Sequence, residues 1–130
     1  INMNNLIIDA AGEKIFLMII KSKNIYSVSH DNSKTNYESL SLLISDFIKN
    51  YELKIDEISK IYVNRGPGSF AGIRNSLALV KAINITKKID YYCFSFDDFG
   101  KLDKYKYENI PILCSKLKIK KNLINPIYLR

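Results

Sequence analysis

Residues 65–74 read Arg-Gly-Pro-Gly-Ser-Phe-Ala-Gly-Ile-Arg, a glycine-rich turn between an apolar run and a helical pattern. Strand, turn and helix start together can hold an anion, because the first amides of a helix point outward at its positive end. Phosphate binding is the chemistry this would serve. Neither phosphate fingerprint is complete, however. A P-loop needs G-x-x-x-x-G-K-[ST], and here Gly72 is followed by Ile73 and Arg74. A dinucleotide turn needs G-x-G-x-x-G; Gly66 and Gly68 fit its start, but Ala71 stands at the third glycine and Gly72 comes one residue late. Pro67 removes one amide donor. The structural use of the same residues is a fixed Gly66-Pro67-Gly68 turn, with Ser69 capping a packed helix. Asp9 is the carboxylate that a nucleotide-binding enzyme would use with this loop. The turn after it, Asp9-Ala10-Ala11-Gly12-Glu13, offers phosphate no hydroxyl and adds a repelling carboxylate.

Other chemistry is limited by counting. One histidine, His30, rules out a two-histidine metal site and an H-E-x-x-H protease within this chain. Cys93 and Cys114 make neither a C-x-x-C pair nor a four-ligand zinc site, and both sit in apolar runs. They read as buried, reduced thiols of a cytoplasmic protein. No metal and no cofactor are expected. The net charge of +7 is concentrated: residues 1–100 carry 12 basic and 11 acidic side chains, and residues 101–130 carry 8 and 2. Lys116, Lys118, Lys120 and Lys121 could meet phosphates as a small RNA-binding module. Against this, Ile, Lys, Asn, Tyr and Phe supply 66 of the 130 residues, the bias of an AT-rich genome, in which lysine is a solvating residue. Arginine, the better phosphate fork, occurs three times.

These residues need elements to position them. The 130 residues make one domain's worth of chain, with 47% hydrophobic and 25% charged residues, ordinary for a globular protein. The longest apolar run, Ile15 to Ile20, is strand-sized, so no membrane span is expected. Met3 reads as a natural start with two residues ahead of it, and nothing near it resembles a signal peptide. Runs at 5–10, 13–20 and 24–30 predict an antiparallel meander, with Ala11-Gly12 as a tight turn using positive φ at Gly12. Leu40, Leu43, Ile44, Phe47, Ile48 and Tyr51 form one helical stripe, predicting a helix over about 36–50 with Thr35 and Glu38 as its capping box and Asn50 near its end. A turn at 56–59, a strand at 60–64, a helix from about 70 to 85 and a strand at 89–94 follow. Ser95 to Asp98 resembles a second helix start. Residues 101–109 read as a loop, and 110–114 as a strand that Pro111 places at an edge. The last residues read as extended. This order predicts an α/β mixed sheet, an antiparallel meander joined to a parallel portion by helical crossovers. The ribonuclease H-like sheet of actin and the sugar kinases has this arrangement.

The segment 65–74 resembles the signature of the bacterial TsaB (YeaZ) family, whose usual form is GRGPGSFTGLR, with Asn64 here for a glycine and Ala71 for a threonine. Leu6-Ile7-Ile8-Asp9-Ala10 is similar to the family's opening I-L-x-I-D-T, and Pro126 to Arg130 resembles its P-x-Y-L-R. Of the family's H-S-E, only Glu38 is kept. The resemblance covers residues 5–100 and the last five. Members run to well over 200 residues in two ribonuclease H-like halves; here 1–100 correspond to the first lobe, and 101–130 to a remnant of the second and a tail.

The resemblance implies a role in making threonylcarbamoyladenosine beside the anticodon of transfer RNA. The chain would be a non-catalytic subunit supporting a TsaD-like paralogue together with a TsaE-like ATPase. When alone it would be a homodimer or a monomer, the two readings standing open, with transfer RNA contacted indirectly or weakly. Arg65, Gly66, Pro67, Gly68, Ser69, Phe70, Gly72 and Arg74 would then serve structure and partner contact. The helices at 36–50 and 70–85 would lie side by side and meet the partner's helix pair through Leu42, Ala71, Asn75, Ala78, Leu79 and Ala82. The sequence adds its own reason. Ala71, Ala78 and Ala82 allow close approach of another helix, while Ile73, Leu77 and Val80 mark one apolar face, and Leu79 and Ile83 turn away from it. The remaining alternatives are a nucleotide-binding enzyme using Asp9 and the 65–74 loop, and the basic RNA-binding module.

Overall fold

Continuous apolar runs set up the centre of the sheet in the computed structural model, which describes residues 3–100 and 106–128. Strands β1 (Asn4–Asp9), β2 (Lys14–Lys21) and β3 (Asn24–Asp31) form the antiparallel meander. Strands β4 (Lys60–Asn64) and β5 (Asp90–Phe94) add in parallel to β1, giving the order β3-β2-β1-β4-β5. The register aligns the pleat across the sheet. Leu6 lies beside Ile19 and Ile61, and Ile8 beside Leu17 and Val63, so one face carries a continuous aliphatic layer. Each fully buried Leu or Ile there contributes about 1.5–3 kcal/mol.

That face is covered by helices α1 (Lys34–Tyr37), α2 (Leu40–Lys49) and α3 (Phe70–Lys87). Leu40, Ile44, Phe47 and Ile48 of α2 join Ile73, Leu77 and Val80 of α3 in one core with β1, β2, β4 and β5. The two helices therefore share one sheet face, as expected. The opposite face is thinner. Ile7, Met18, Tyr62 and Phe94 are covered there by Phe99, by Tyr107 and by helix α4 (Ile110–Lys116) through Ile110 and Cys114.

Three local expectations are corrected. The helix expected over 36–50 is split. Ser33, in extended conformation, caps α1 by accepting from the Asn36 amide at 3.4 Å. The Asn36 side chain donates back to Asp31 O, Glu38 ends α1, and Ser39 leaves helical geometry before α2 begins. Local Ser and Asn bonds thus outcompete the Thr35–Glu38 box. Residues 110–114 are helical, because Pro111 falls in the first helical turn, where its missing N–H is harmless. Gly12 does not use positive φ; the turn between β1 and β2 spans four residues, and Asn32 Nδ2 donates to Ala10 O and Gly12 O to hold it. Elsewhere the expected helix start at Ser95 is a single 3-10 turn, Phe96–Phe99, with the Ser95–Asp98 capping box formed. Another 3-10 turn, Tyr107–Asn109, falls in the expected loop, whose residues 101–105 lie outside the described ones.

From α4 the chain wraps around the β5 edge. Ile119 packs on the thin face, Lys121 bridges Tyr92, and Ile124 reaches the helix-side core. Asn122 holds this strap in place. Its N–H donates to Tyr91 O at 2.8 Å, its Oδ1 accepts from the Tyr91 amide at 3.0 Å, and its Nδ2 donates to Asp90 at 2.9 Å.

Candidate functional site

Arg65, Gly66 and Ser69 of the 65–74 loop bond to the protein itself. Arg65 N donates to Phe94 O, and Ile127 N donates to Arg65 O, both at 2.7 Å. Its guanidinium forks onto Asp98, with Nη2 to Oδ1 at 2.7 Å and Nε to Oδ2 at 3.4 Å, and Nη1 reaches Asn125 O at 3.0 Å. Asp98 also accepts from the Ser95 amide. Buried Asn64, which stands for a signature glycine, accepts from Gly66 N at 2.9 Å. Gly66 has φ of 109°, and a Cβ there would sit 2.1 Å from Ile127 O, so the strap passes directly over it.

The second half of the loop closes on the first turn of the sheet. Ser69 N donates to Ala11 O at 2.7 Å, and a Cβ on Gly68 or Gly72 would strike Ala11 O or Ala10 O at about 2 Å. Ser69 caps α3 as expected, its Oγ accepting from Gly72 N at 3.1 Å. The gap in which a phosphate would lie between loop and turn is therefore closed by direct backbone contact. Phe70 is exposed, against Tyr128 of the tail at 4.7 Å between ring centroids, with Arg74 over its other neighbourhood at 5.8 Å. Pro67 is half-buried.

Asp9 is buried and has both oxygens engaged. Oδ1 accepts from Ala11 N at 3.0 Å, and Oδ2 accepts from the Tyr107 hydroxyl at 2.5 Å. Tyr107 stacks on Phe16, and burial followed by the Asp9 charge raises its phenol above the ordinary range. Both cysteines are free and buried, and burial pushes each thiol up to about 12. Among the described residues, no group of three or more His, Cys, Asp or Glu could hold a metal ion. No helix among them is long and apolar enough to cross a membrane.

The outer surface of α2 and α3 is the other candidate. An apolar groove of about 590 Å³ runs between them, lined by Ile44 and Ile48 of α2, Leu79 and Ile83 of α3, and Leu53 and Ile55. Leu79 and Ile83 are not turned away from the core, as expected, but partly buried against it. The stripe that does face outward is Ala71, Asn75, Ala78, Ala82 and Ile85, at alternating steps of four and three. Ala78 and Ala82 are exposed, Ile85 is 59% exposed, and Asn75 Nδ2 is folded back onto Ala71 O at 2.8 Å. Leu42 on α2 is 60% exposed. Such spacing is the seam a second helix packs against. Lys116, Lys118, Lys120 and Lys121 are all exposed, and Lys121 pairs with Asp90 at 3.4 Å.

Sequence reasoning missed Tyr107, Asp98, Asn125 and Ile127 as partners of the motif residues. They lie between 33 and 98 residues away in the chain, and no local pattern announces them.

An antiparallel meander followed by two parallel strands reached through helices, in the order β3-β2-β1-β4-β5, is a ribonuclease H-like fold. Solved structures agree. The chain is similar to "YeaZ from Pseudomonas aeruginosa", with a TM-score of 0.66 and 17% identity over 72% of this chain and 44% of that one. It is equally similar, over 43% of the other chain, to a structure described as an uncharacterized protein with similarity to peptidase YeaZ from Pseudomonas aeruginosa. In sequence it is 26% identical over 90 residues to the tRNA threonylcarbamoyladenosine biosynthesis protein TsaB of Buchnera aphidicola subsp. Schizaphis graminum (strain Sg). That match covers 69% of this chain and 43% of the TsaB protein, so the chain spans less than half the length of these relatives. No protein-family model matches it.

Proposed function

We propose that this chain is a non-catalytic subunit of the cytoplasmic machinery that makes threonylcarbamoyladenosine in transfer RNA. It docks a catalytic, TsaD-like paralogue through α3 and α2, in a complex that includes a TsaE-like ATPase. Residues 1–100 are the docking lobe, and 101–130 are the remnant of a second lobe, of which the described residues 106–128 serve as a cover and strap. The observation that carries this reading is the outward seam of Ala71, Asn75, Ala78, Ala82 and Ile85, beside the open apolar groove. Its support is that α3 is apolar on two sides while the sheet covers one. The likeness to TsaB supplies the pathway. The 65–74 loop supports a structural role, since Arg65 donates to Asp98, Asn125 and Phe94 and the Ser69 amide donates to Ala11. Transfer RNA is then met through the partner, with at most weak contact from the lysine tail.

Co-expression with the same organism's TsaD, followed by purification on a tag carried by TsaD, tests the proposal. Both chains are expected in the eluate. Ala78→Glu places a carboxylate in the seam without disturbing the core, and an unpaired buried charge costs several kcal/mol, so co-purification is expected to fail. The nucleotide-binding alternative has one observation in its favour, Asp9 beside the loop. Both of its oxygens already have partners, so calorimetry with ATP and magnesium is expected to show no micromolar binding.

A further inference from the structure

The thin face of the sheet ends in an unbalanced surface. Along α4, Ile110 and Cys114 turn inward onto the sheet, while Ile112, Ser115 and Lys116 are exposed. The helix closes with Lys118 in the left-handed region, at φ of 54°. Ile119 N donates to Cys114 O at 3.0 Å and Lys118 N to Ser115 O at 3.2 Å, so the chain reverses and Ile119 returns to the sheet. Lys116, Leu117 and Lys118 are left at the tip, all exposed. Met3, Lys60, Ile112 and Lys116 share the lining of a shallow cleft of about 320 Å³. Lys60 lies over the Tyr92 ring at 5.8 Å and stands beside Asp90 in the β4–β5 register. Lys121 reaches the same Asp90 at 3.4 Å.

Two properties of this surface select one kind of partner. It is cationic: from Asn109 to Arg130 the chain holds no acidic residue, and among the described residues no ion pair holds Lys60, Lys116, Lys118 or Lys120. It is also apolar. Met3, Ile112 and Leu117 are each about half exposed, and so is Leu123 on the strap. Aliphatic side chains in water among unpaired lysines match a surface that offers anions and hydrocarbon together, as a bilayer with anionic headgroups does. Nucleic acid fits less well. It would leave the aliphatics in water, and single strands need exposed rings to stack on. The ring beside these lysines, Tyr92, is half-buried under Lys60. Lysine is a point charge suited to mobile headgroups, whereas guanidinium forks suit fixed phosphates.

We propose that this end of the thin face docks on an anionic lipid bilayer. Lys60, Lys116, Lys118 and Lys120 lie among the headgroups, and Met3, Ile112 and Leu117 reach the acyl boundary. The contact is peripheral and reversible. No helix among the described residues is long and apolar enough to cross a bilayer. Each lysine near an anionic surface is worth about fivefold in affinity, an attraction that salt screens. Helices α2 and α3 cover the other face of the sheet, so their outer surface stays open to a partner while the thin face is docked. The proposal does not rest on the function inferred above.

Co-sedimentation of the full chain with sucrose-loaded vesicles is the test, with equal parts of phosphatidylcholine and phosphatidylglycerol set against phosphatidylcholine alone. The chain is expected to pellet with the mixed vesicles, less so as salt rises, and to stay in solution with the neutral ones. Lys116→Gln, Lys118→Gln and Lys120→Gln together are expected to lower the affinity about a hundredfold. Lys34→Gln, Lys49→Gln and Lys81→Gln, the same charge change on the helix-covered face, are expected to lower it by less than about tenfold. Ile112→Asn with Leu117→Asn keeps every charge and is expected to lower it about tenfold. All these positions are exposed, and each variant is first shown to be folded by circular dichroism. Filter binding of bulk transfer RNA is the second arm. No pelleting with the mixed vesicles at low salt overturns the proposal. So does pelleting that the Ile112 and Leu117 variant leaves unchanged, or that both lysine sets weaken equally. Binding of RNA in place of vesicles, lost in the Lys116, Lys118 and Lys120 variant and kept when Ile112 and Leu117 are changed, would assign the surface to nucleic acid instead.

Discussion

Arg65 shows how a single motif residue can serve structure. Its guanidinium ties β4 to the 3-10 turn after β5 and to the strap, and the Arg65 and Asp98 side chains are 16% and 21% exposed. Arg65→Gln keeps a donor but loses the charged fork. It is expected to cost about 1.5–3 kcal/mol, the range for hydrogen bonds to charged groups, read as a lower urea midpoint with unchanged slope. An unchanged midpoint would mean that the fork contributes nothing. The thiols give a pH signature. Burial raises Cys93 and Cys114 from 9.0 to about 12, so in the folded chain they keep protons that the unfolded chain loses. Their contribution is complete below about pH 8.5 and declines above it, by about 1.4 kcal/mol per pH unit for each thiol. Buried Tyr62 and half-buried Tyr107, both shifted upward, add to the decline above their ordinary range. The urea midpoint is expected to be level near neutral pH and to fall on the alkaline side, with a shallower fall in Cys93→Ala. A level midpoint well into the alkaline range would contradict the burial of these groups.

At the scale of elements, Asn122 anchors the strap along the β5 edge. Asn122 adopts φ of 61°, which asparagine tolerates better than most residues, and it bonds Tyr91 and Asp90. Asn122→Ala gives up the side-chain bonds to Tyr91, Asp90 and Asn84 and keeps the strained backbone. About 2–3 kcal/mol of destabilisation is expected, together with faster hydrogen exchange at Tyr91, whose amide would lose its acceptor; protection of that amide equal to wild type would contradict the role. Elements with strong periodicity were legible in the sequence: the three-strand meander, the β4-loop-α3 unit with its Ser69 cap, and β5. The boundary at 34–40 was misread because several polar residues compete for the same amides, and the choice of Ser33 rests on Asn36 finding Asp31 across a bend. Pro111 was misread because proline suits both a strand edge and a first helical turn, and only the covering of Ile7 and Met18 selects the second. The site was legible as a motif but not as a network, since Asp98, Tyr107, Asn125 and Ile127 come from distant parts of the chain.

At the scale of the molecule, a ribonuclease H-like sheet carries helices on one face, a thin cover on the other, and a strap that locks the motif loop. Asp9, the carboxylate that nucleotide chemistry would need, is used for internal bonds, while α3 shows Ala78, Ala82 and Ile85 to solvent. The central claim is that this seam docks a TsaD-like partner. The most direct measurement is sedimentation of equimolar mixtures of that partner with the wild-type chain and with Ala78→Glu, each first shown to be folded by circular dichroism. The account predicts one faster-sedimenting heterodimer with wild type and two separate species with Ala78→Glu. Two separate species with wild type, or the same heterodimer with both chains, would contradict it.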